Sequence, residues 1–172
     1  GADFDCERLL LGITQHGNGI PRFSGKNFEH EGLYRLLYGI MEETHPAQMG
    51  KWSTIQINKN FPIGKVHCHQ NANKLAWITT LGDFAGGGKF HYDELSPPDG
   101  ASYDIRGAIL EFDSTLKHGA VGEYTGTRYS IVFFHGVGSQ SVSTFHAKTF
   151  KPDGLEWKKE KGLFNRGGGG GG

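Results

Sequence analysis

From Trp52 onward the chain is cut into short apolar or alternating runs, each closed by glycine or proline. A chain punctuated this way buries its apolar residues as a β-sandwich or a closed sheet. The runs are Trp52–Asn58, Lys65–His69, Leu75–Leu81, Lys89–Tyr92, Ala108–Phe112, Thr127–Phe134 and Ser141–Phe150. Between them stand Pro62-Ile63-Gly64, Gly86-Gly87-Gly88, Pro97-Pro98-Asp99-Gly100, Gly122 and Gly126, residues that set turns. The 28 glycines supply the turns, and 12 Phe, 6 Tyr and 3 Trp supply bulky core side chains. The expectation is a mainly β fold of seven or eight short strands, with no internal repeat.

The first 27 residues read as irregular, because Gly17, Gly19, Pro21 and Gly25 break any period. Asn27 then reads as an N-cap, and Phe28 to about Thr44 as a helix. In it Leu33, Leu36, Leu37, Ile40 and Met41 recur at three- and four-residue spacing, forming one apolar stripe to pack on the sheet. Pro46 ends it. A length of 172 residues fits one core. The expected division is an N-terminal irregular segment and supporting helix over 1–50, a β core over 51–150, a basic extension over 151–166 and a glycine run over 167–172. The glycine run cannot pack a core. Lys151, Lys158, Lys159, Lys161 and Arg166 make the extension basic; it reads as a solvated tail, with a phosphate-contacting arm as the alternative.

The 18 basic residues balance the 18 acidic ones, which speaks against a partner held mainly by overall charge. A local basic groove for nucleic acid stays open, and so does a protein assembly. Two cysteines, Cys6 and Cys68, are too few for a disulfide framework and suit a reducing, intracellular compartment. No apolar run nears the roughly 18 residues of a membrane span, and no signal peptide is visible. The chain opens without Met, as a fragment does.

The residues that carry chemistry fall in three places. In His67-Cys68-His69, strand alternation puts the two imidazoles on one face and the thiol on the other. Paired imidazoles suit a divalent iron, zinc or copper ion. His118 follows 51 residues after His67, a distance over which a jelly roll circles and returns beside its earlier strand. In Gly126-Thr127-Arg128-Tyr129-Ser130, Arg128 and Ser130 share a face with Val132 and Phe134, opposite Tyr129, Ile131 and Phe133. A buried guanidinium needs an anion. Arg128 with the Ser130 hydroxyl forms a carboxylate receptor; a salt bridge to a neighbouring strand's Asp or Glu is the competing reading.

Together the residues from Ile57 to Gly136 resemble the Fe(II)/2-oxoglutarate-dependent dioxygenase superfamily, and within it the TET/JBP-like branch. Asn58, His67-Cys68-His69 with Asn71 and Asn73, and Leu81-Gly82-Asp83-Phe84-Ala85-Gly86-Gly87-Gly88 carry the first half of the likeness. Gly107–Asp113, His118 and Gly126-Thr127-Arg128-Tyr129-Ser130 carry the second. The resemblance implies a double-stranded β-helix (jelly roll), Fe(II) and 2-oxoglutarate as cofactors, and hydroxylation of a substrate such as a modified nucleobase. It makes His67 and His118 metal ligands and gives Arg128 and Ser130 the far carboxylate of 2-oxoglutarate. Asn58, Asn73 and Trp77 become candidates for the substrate pocket.

At one position the sequence departs from that pattern: His69 stands where the family has Asp. Three readings follow. His69 ligates in a three-histidine iron centre; the metal site is degenerate and the domain serves as a binding or structural subunit; or another carboxylate, such as Asp93, completes the site. A three-histidine metalloenzyme without 2-oxoglutarate would leave Arg128 and Ser130 without a purpose.

Overall fold

The computed structural model describes residues 7–14, 22–63, 67, 74–92 and 102–136. In chain order these form β1 (Glu7–Thr14), β2 (Arg22–Phe23), α1 (Lys26–Glu29), α2 (Glu31–Thr44), β3 (Thr54–Lys59), β4 (Leu75–Leu81), β5 (Phe84–Gly86) and β6 (Lys89–Tyr92). There follow β7 (Ser102–Tyr103), β8 (Leu110–Asp113), β9 (His118–Val121), β10 (Tyr124–Gly126) and β11 (Tyr129–Phe134). Every strand pair is antiparallel. The main sheet runs β2-β1-β3-β11-β4-β8, and a smaller one runs β7-β6-β9, with β5 and β10 paired beside them.

Alternation along β3, β4 and β11 sends side chains to two separate cores. Ile55, Trp77, Ile131 and Phe133 point to the helical side, where they meet Leu11, Ile13, Trp52 and the buried row Tyr34, Leu37, Tyr38 and Met41 of α2. Here Trp52 stands edge-on to Phe133 with ring centroids 5.0 Å apart, and Tyr38 lies 5.7 Å from Trp52; such pairs add about 0.5–1.5 kcal/mol each beyond the area they bury. Ala76 and Ile78 point the other way, onto Phe90 and Tyr92 of the small sheet and Phe112 of β8. Two sheets facing across this second core make the double-stranded β-helix. Tyr92 ties them together, its hydroxyl oxygen accepting from the Asp113 N–H at 2.9 Å.

Four sequence-based expectations change. The segment before residue 27 is not wholly irregular, because β1 pairs with β3 from Glu7↔Lys59 to Gly12↔Thr54. The strand tolerates Gly12 at φ +85 because the Asn27 amide clasps it. Gly12 N–H donates to Asn27 Oδ1 at 2.7 Å, and Asn27 Nδ2 donates to Gly12 O at 3.0 Å. Asn27 is therefore a buried clasp within α1, not an N-cap. The long helix begins at Glu31, after a break at His30. Its packed row is centred on Tyr34 and Tyr38, whereas Leu33, Leu36 and Ile40 stand exposed: two adjacent rows are apolar, and the aromatic one fills the deeper space. Strands Lys65–His69 and Ser141–Phe150 lie outside the described residues except for His67, as does the basic extension. Among the described residues no helix is long and apolar enough to cross a membrane.

Candidate metal and carboxylate site

His118 opens β9 and is buried; its neighbour across β6 is Tyr92. On its other side lies His67. The two histidines exchange both backbone hydrogen bonds, each N–H donating to the other's carbonyl at 2.9 Å. Directly opposed residues of an antiparallel pair project to the same face, and the two ring centroids lie 4.9 Å apart. The His118 ring is buried, with Phe112 and Phe90 walling it at 4.8 and 6.2 Å, whereas His67 is exposed.

The His118 ring is oriented from behind. Its Nδ1 lies 2.8 Å from the Leu116 carbonyl oxygen. A carbonyl only accepts, so Nδ1 carries the hydrogen and Nε2 keeps a lone pair. This is the arrangement that readies an imidazole for a metal. His69 lies outside the described residues, together with Cys68, Asn71, Asn73 and Asp93. Among the described residues no group of three His, Cys, Asp or Glu side chains gathers to hold a metal. The described residues thus bring two imidazoles side by side.

Arg128 precedes β11, and Asn60, itself at φ +51, grips its backbone on both sides. Asn60 N–H donates to Arg128 O at 2.8 Å, and Arg128 N–H donates to Asn60 Oδ1 at 3.0 Å. The side chain is 2 % exposed. It lies under the glycine run, where Nε donates to Gly88 O at 2.9 Å and the guanidinium faces the Phe84 ring at 5.8 Å. Burial pushes its pKa below the usual arginine value. Among the described residues no carboxylate forms a salt bridge to it, and Asp104 acts on it as a favourable charge from beyond salt-bridge distance.

The Leu81–Gly88 run closes tightly over the segment that carries Arg128. A Cβ on Gly82 (φ +117) would lie 2.2 Å from Thr127 O, and one on Gly87 would lie 2.2 Å from the Gly122 carbonyl carbon. A Cβ on Gly88 would press on Arg128 Cδ at 3.0 Å. Only glycine lets the backbones approach this closely. The sequence reading used these glycines as a family mark and missed their steric task.

Ser130 faces Asn58 and Thr80 across β11, on the same side as Arg128, and Asn58 Nδ2 donates to its hydroxyl at 3.1 Å. Asn58 therefore sits beside Ser130. Trp77 does not face Ser130 and Arg128. It is fully buried in the helical core, on the opposite face of β4, with its indole N–H donating to Glu111 Oε2 at 2.9 Å; the one-residue parity that separates Trp77 from Ile78 decides this. Phe84, Asn60, Leu116 and Tyr92 were missed. Phe84, Asn60 and Tyr92 act through tertiary contacts that spacing does not announce, and Leu116 through a local backbone carbonyl two residues from His118.

The fold and the facing histidine pair define the class: a jelly-roll domain with an imidazole pair on its small sheet and a buried arginine beneath its glycine run. The protein matches no family model and no curated protein sequence. It is similar in structure to NgTET1 in complex with 5mC DNA, with a TM-score of 0.62 and 13 % identity over 89 % of this chain and 69 % of that one. A 2OG-Fe(II) oxygenase family oxidoreductase from Burkholderia pseudomallei aligns with a TM-score of 0.48 and 16 % identity over 77 % and 68 % of the two chains. The likeness to NgTET1 establishes the double-stranded β-helix that the sequence predicted.

Proposed function

We propose that this protein is an Fe(II)- and 2-oxoglutarate-dependent oxygenase. The observation that carries the reading is a buried guanidinium with no salt bridge among the described residues, in a fold that also pairs His67 with His118. A buried cation of this kind costs stability unless an anion neutralises it. A dicarboxylate of which one end meets Arg128 and Ser130 does so.

His67 and His118 would hold the iron, with His69 as third ligand. The bound iron would supply the oxidising power that turns a substrate C–H into C–OH as 2-oxoglutarate and O₂ become succinate and CO₂. The chain's own residues have distinct tasks. The Leu116 carbonyl holds the His118 imidazole in its ligating tautomer. Arg128 and Ser130 bind and orient the cosubstrate. Phe90, Phe112 and Tyr92 exclude water from the interior. Gly88 O, which holds Arg128, lies just before β6, four residues from Tyr92, the neighbour of His118. That is at most about 14 Å of chain, a gap that two side chains and a five-carbon diacid can fill.

NgTET1 was solved with 5mC DNA, which makes a methylated nucleobase the first substrate to try. Adding Fe(II) and then 2-oxoglutarate to the protein without oxygen should give the weak visible band of a metal–keto-acid chelate. Admitting air with 5-methylcytosine DNA should then release succinate. Failure to retain iron and to develop the band would refute the proposal and favour the binding-subunit reading that His69 raises.

A further inference from the structure

Four polar side chains line one face of β1, β3 and β11. Arg8 and Asn58 are register partners, and Asn58 is in turn the partner of Ser130. Arg8 donates from an Nη to Gln56 Oε1 at 3.0 Å. Gln56 Nε2 donates to Asn58 Oδ1 at 2.9 Å, and Asn58 Nδ2 donates to Ser130 Oγ at 3.1 Å.

An isolated amide chain of this sort could run in either direction, because each amide can turn over. Arg8 removes the choice, since guanidinium has donors and no acceptor. Gln56 must therefore present its oxygen to Arg8 and its nitrogen to Asn58, and Asn58 must repeat the pattern toward Ser130. The hydroxyl at the end accepts from Asn58, and its own hydrogen is left to give away. Among the described residues nothing takes it.

We infer that Arg8, Gln56 and Asn58 form a polarised relay that makes Ser130 a hydrogen-bond donor to a ligand, so that the receptor selects a carboxylate. The relay rests on the carboxylate-receptor reading of Arg128 and Ser130 and adds three positioning residues to it. Arg8 acts from the protein surface and touches no ligand.

Gln56→Glu tests the polarity with almost no change of shape. A glutamate still accepts from Arg8 but cannot donate to Asn58. The Asn58 amide turns over, presents its oxygen to Ser130, and the hydroxyl hydrogen is spent inside the protein. Binding is read on the metal-free full chain at neutral pH, from the backbone amide shifts of residues 128–132 as 2-oxoglutarate is added. The parent should bind about tenfold more tightly than Gln56→Glu, the worth of one hydrogen bond to a charged acceptor.

The new negative charge could weaken a dianion by simple repulsion, and a double-mutant cycle separates the two causes. If the relay operates, Gln56→Glu loses its effect in a Ser130→Ala background. Equal weakening in both backgrounds, or none in either, overturns the relay. Gln56→Leu, which breaks the chain without adding charge, serves if the glutamate variant does not fold. It should weaken binding in the parent and leave Ser130→Ala unchanged, and the opposite pattern counts against the relay equally. Arg128→Ala tests the underlying receptor separately: if it binds as tightly as the parent, the receptor itself is wrong.

Discussion

Replacing Arg128 with Met should make the ligand-free protein more stable while abolishing its response to 2-oxoglutarate. Arg128 is 2 % exposed, its pKa is lowered by burial, and no carboxylate forms a salt bridge to it among the described residues, Asp104 acting only from a distance. Methionine fills much of the same volume without charge. The exchange forfeits the bond from Nε to Gly88 O, worth about 1–2 kcal/mol, and the contact with Phe84, worth about 0.5–1 kcal/mol. It removes a buried charge that has no salt-bridge partner among the described residues, whose effective cost is several kcal/mol. The balance favours methionine by about 1–2 kcal/mol, and for a chain of this size that raises Tm by about 2–8 °C. In the parent, 2-oxoglutarate at about a hundred times its Kd adds about 2.7 kcal/mol, so a thermal melt with and without the ligand reads both halves. A variant that melts lower than the ligand-free parent would refute the reasoning, because it would mean that the protein itself satisfies the guanidinium.

Gly82→Ala should cost about 3 kcal/mol or more, since it combines a strained backbone angle with a Cβ 2.2 Å from Thr127 O; urea denaturation measures it. His67→Ala and His118→Ala should each lower metal retention by at least about tenfold while leaving 2-oxoglutarate binding to the metal-free protein within about twofold; metal analysis after gel filtration and an amide-shift titration check the two. The His135 pKa is held below its ordinary value of 6.5 by burial. The unfolded chain therefore takes up this proton first, and the contribution is fully present above pH 6.5 and lost as pH falls through the lowered value. His135→Gln should flatten that part of the stability profile in melts taken between pH 7.5 and 5.

Strand identity was largely legible wherever alternation or a continuous apolar run was bounded by glycine or proline, as in Leu75–Leu81 and Lys89–Tyr92, both of which match the observed strands residue for residue. The parity of Arg128 with Ser130 and Val132 was legible for the same reason, because a strand's two-residue period is a local property. β1 was not, for its glycine at φ +85 is held by Asn27, fifteen residues away. Nor was the row that α2 buries, since adjacent apolar rows compete and only the shape of the sheet beneath chooses between them.

Periodicity and punctuation in the sequence laid down the strands, the side of the strand to which each candidate side chain points, and the types of residue available for chemistry. Folding supplied what those local rules do not contain: the bridge that sets His67 beside His118 and the glycines that close over Arg128. Each of these joins residues far apart in the chain or depends on a backbone angle fixed by the surroundings, and such contacts exist only once the two sheets have closed on one another.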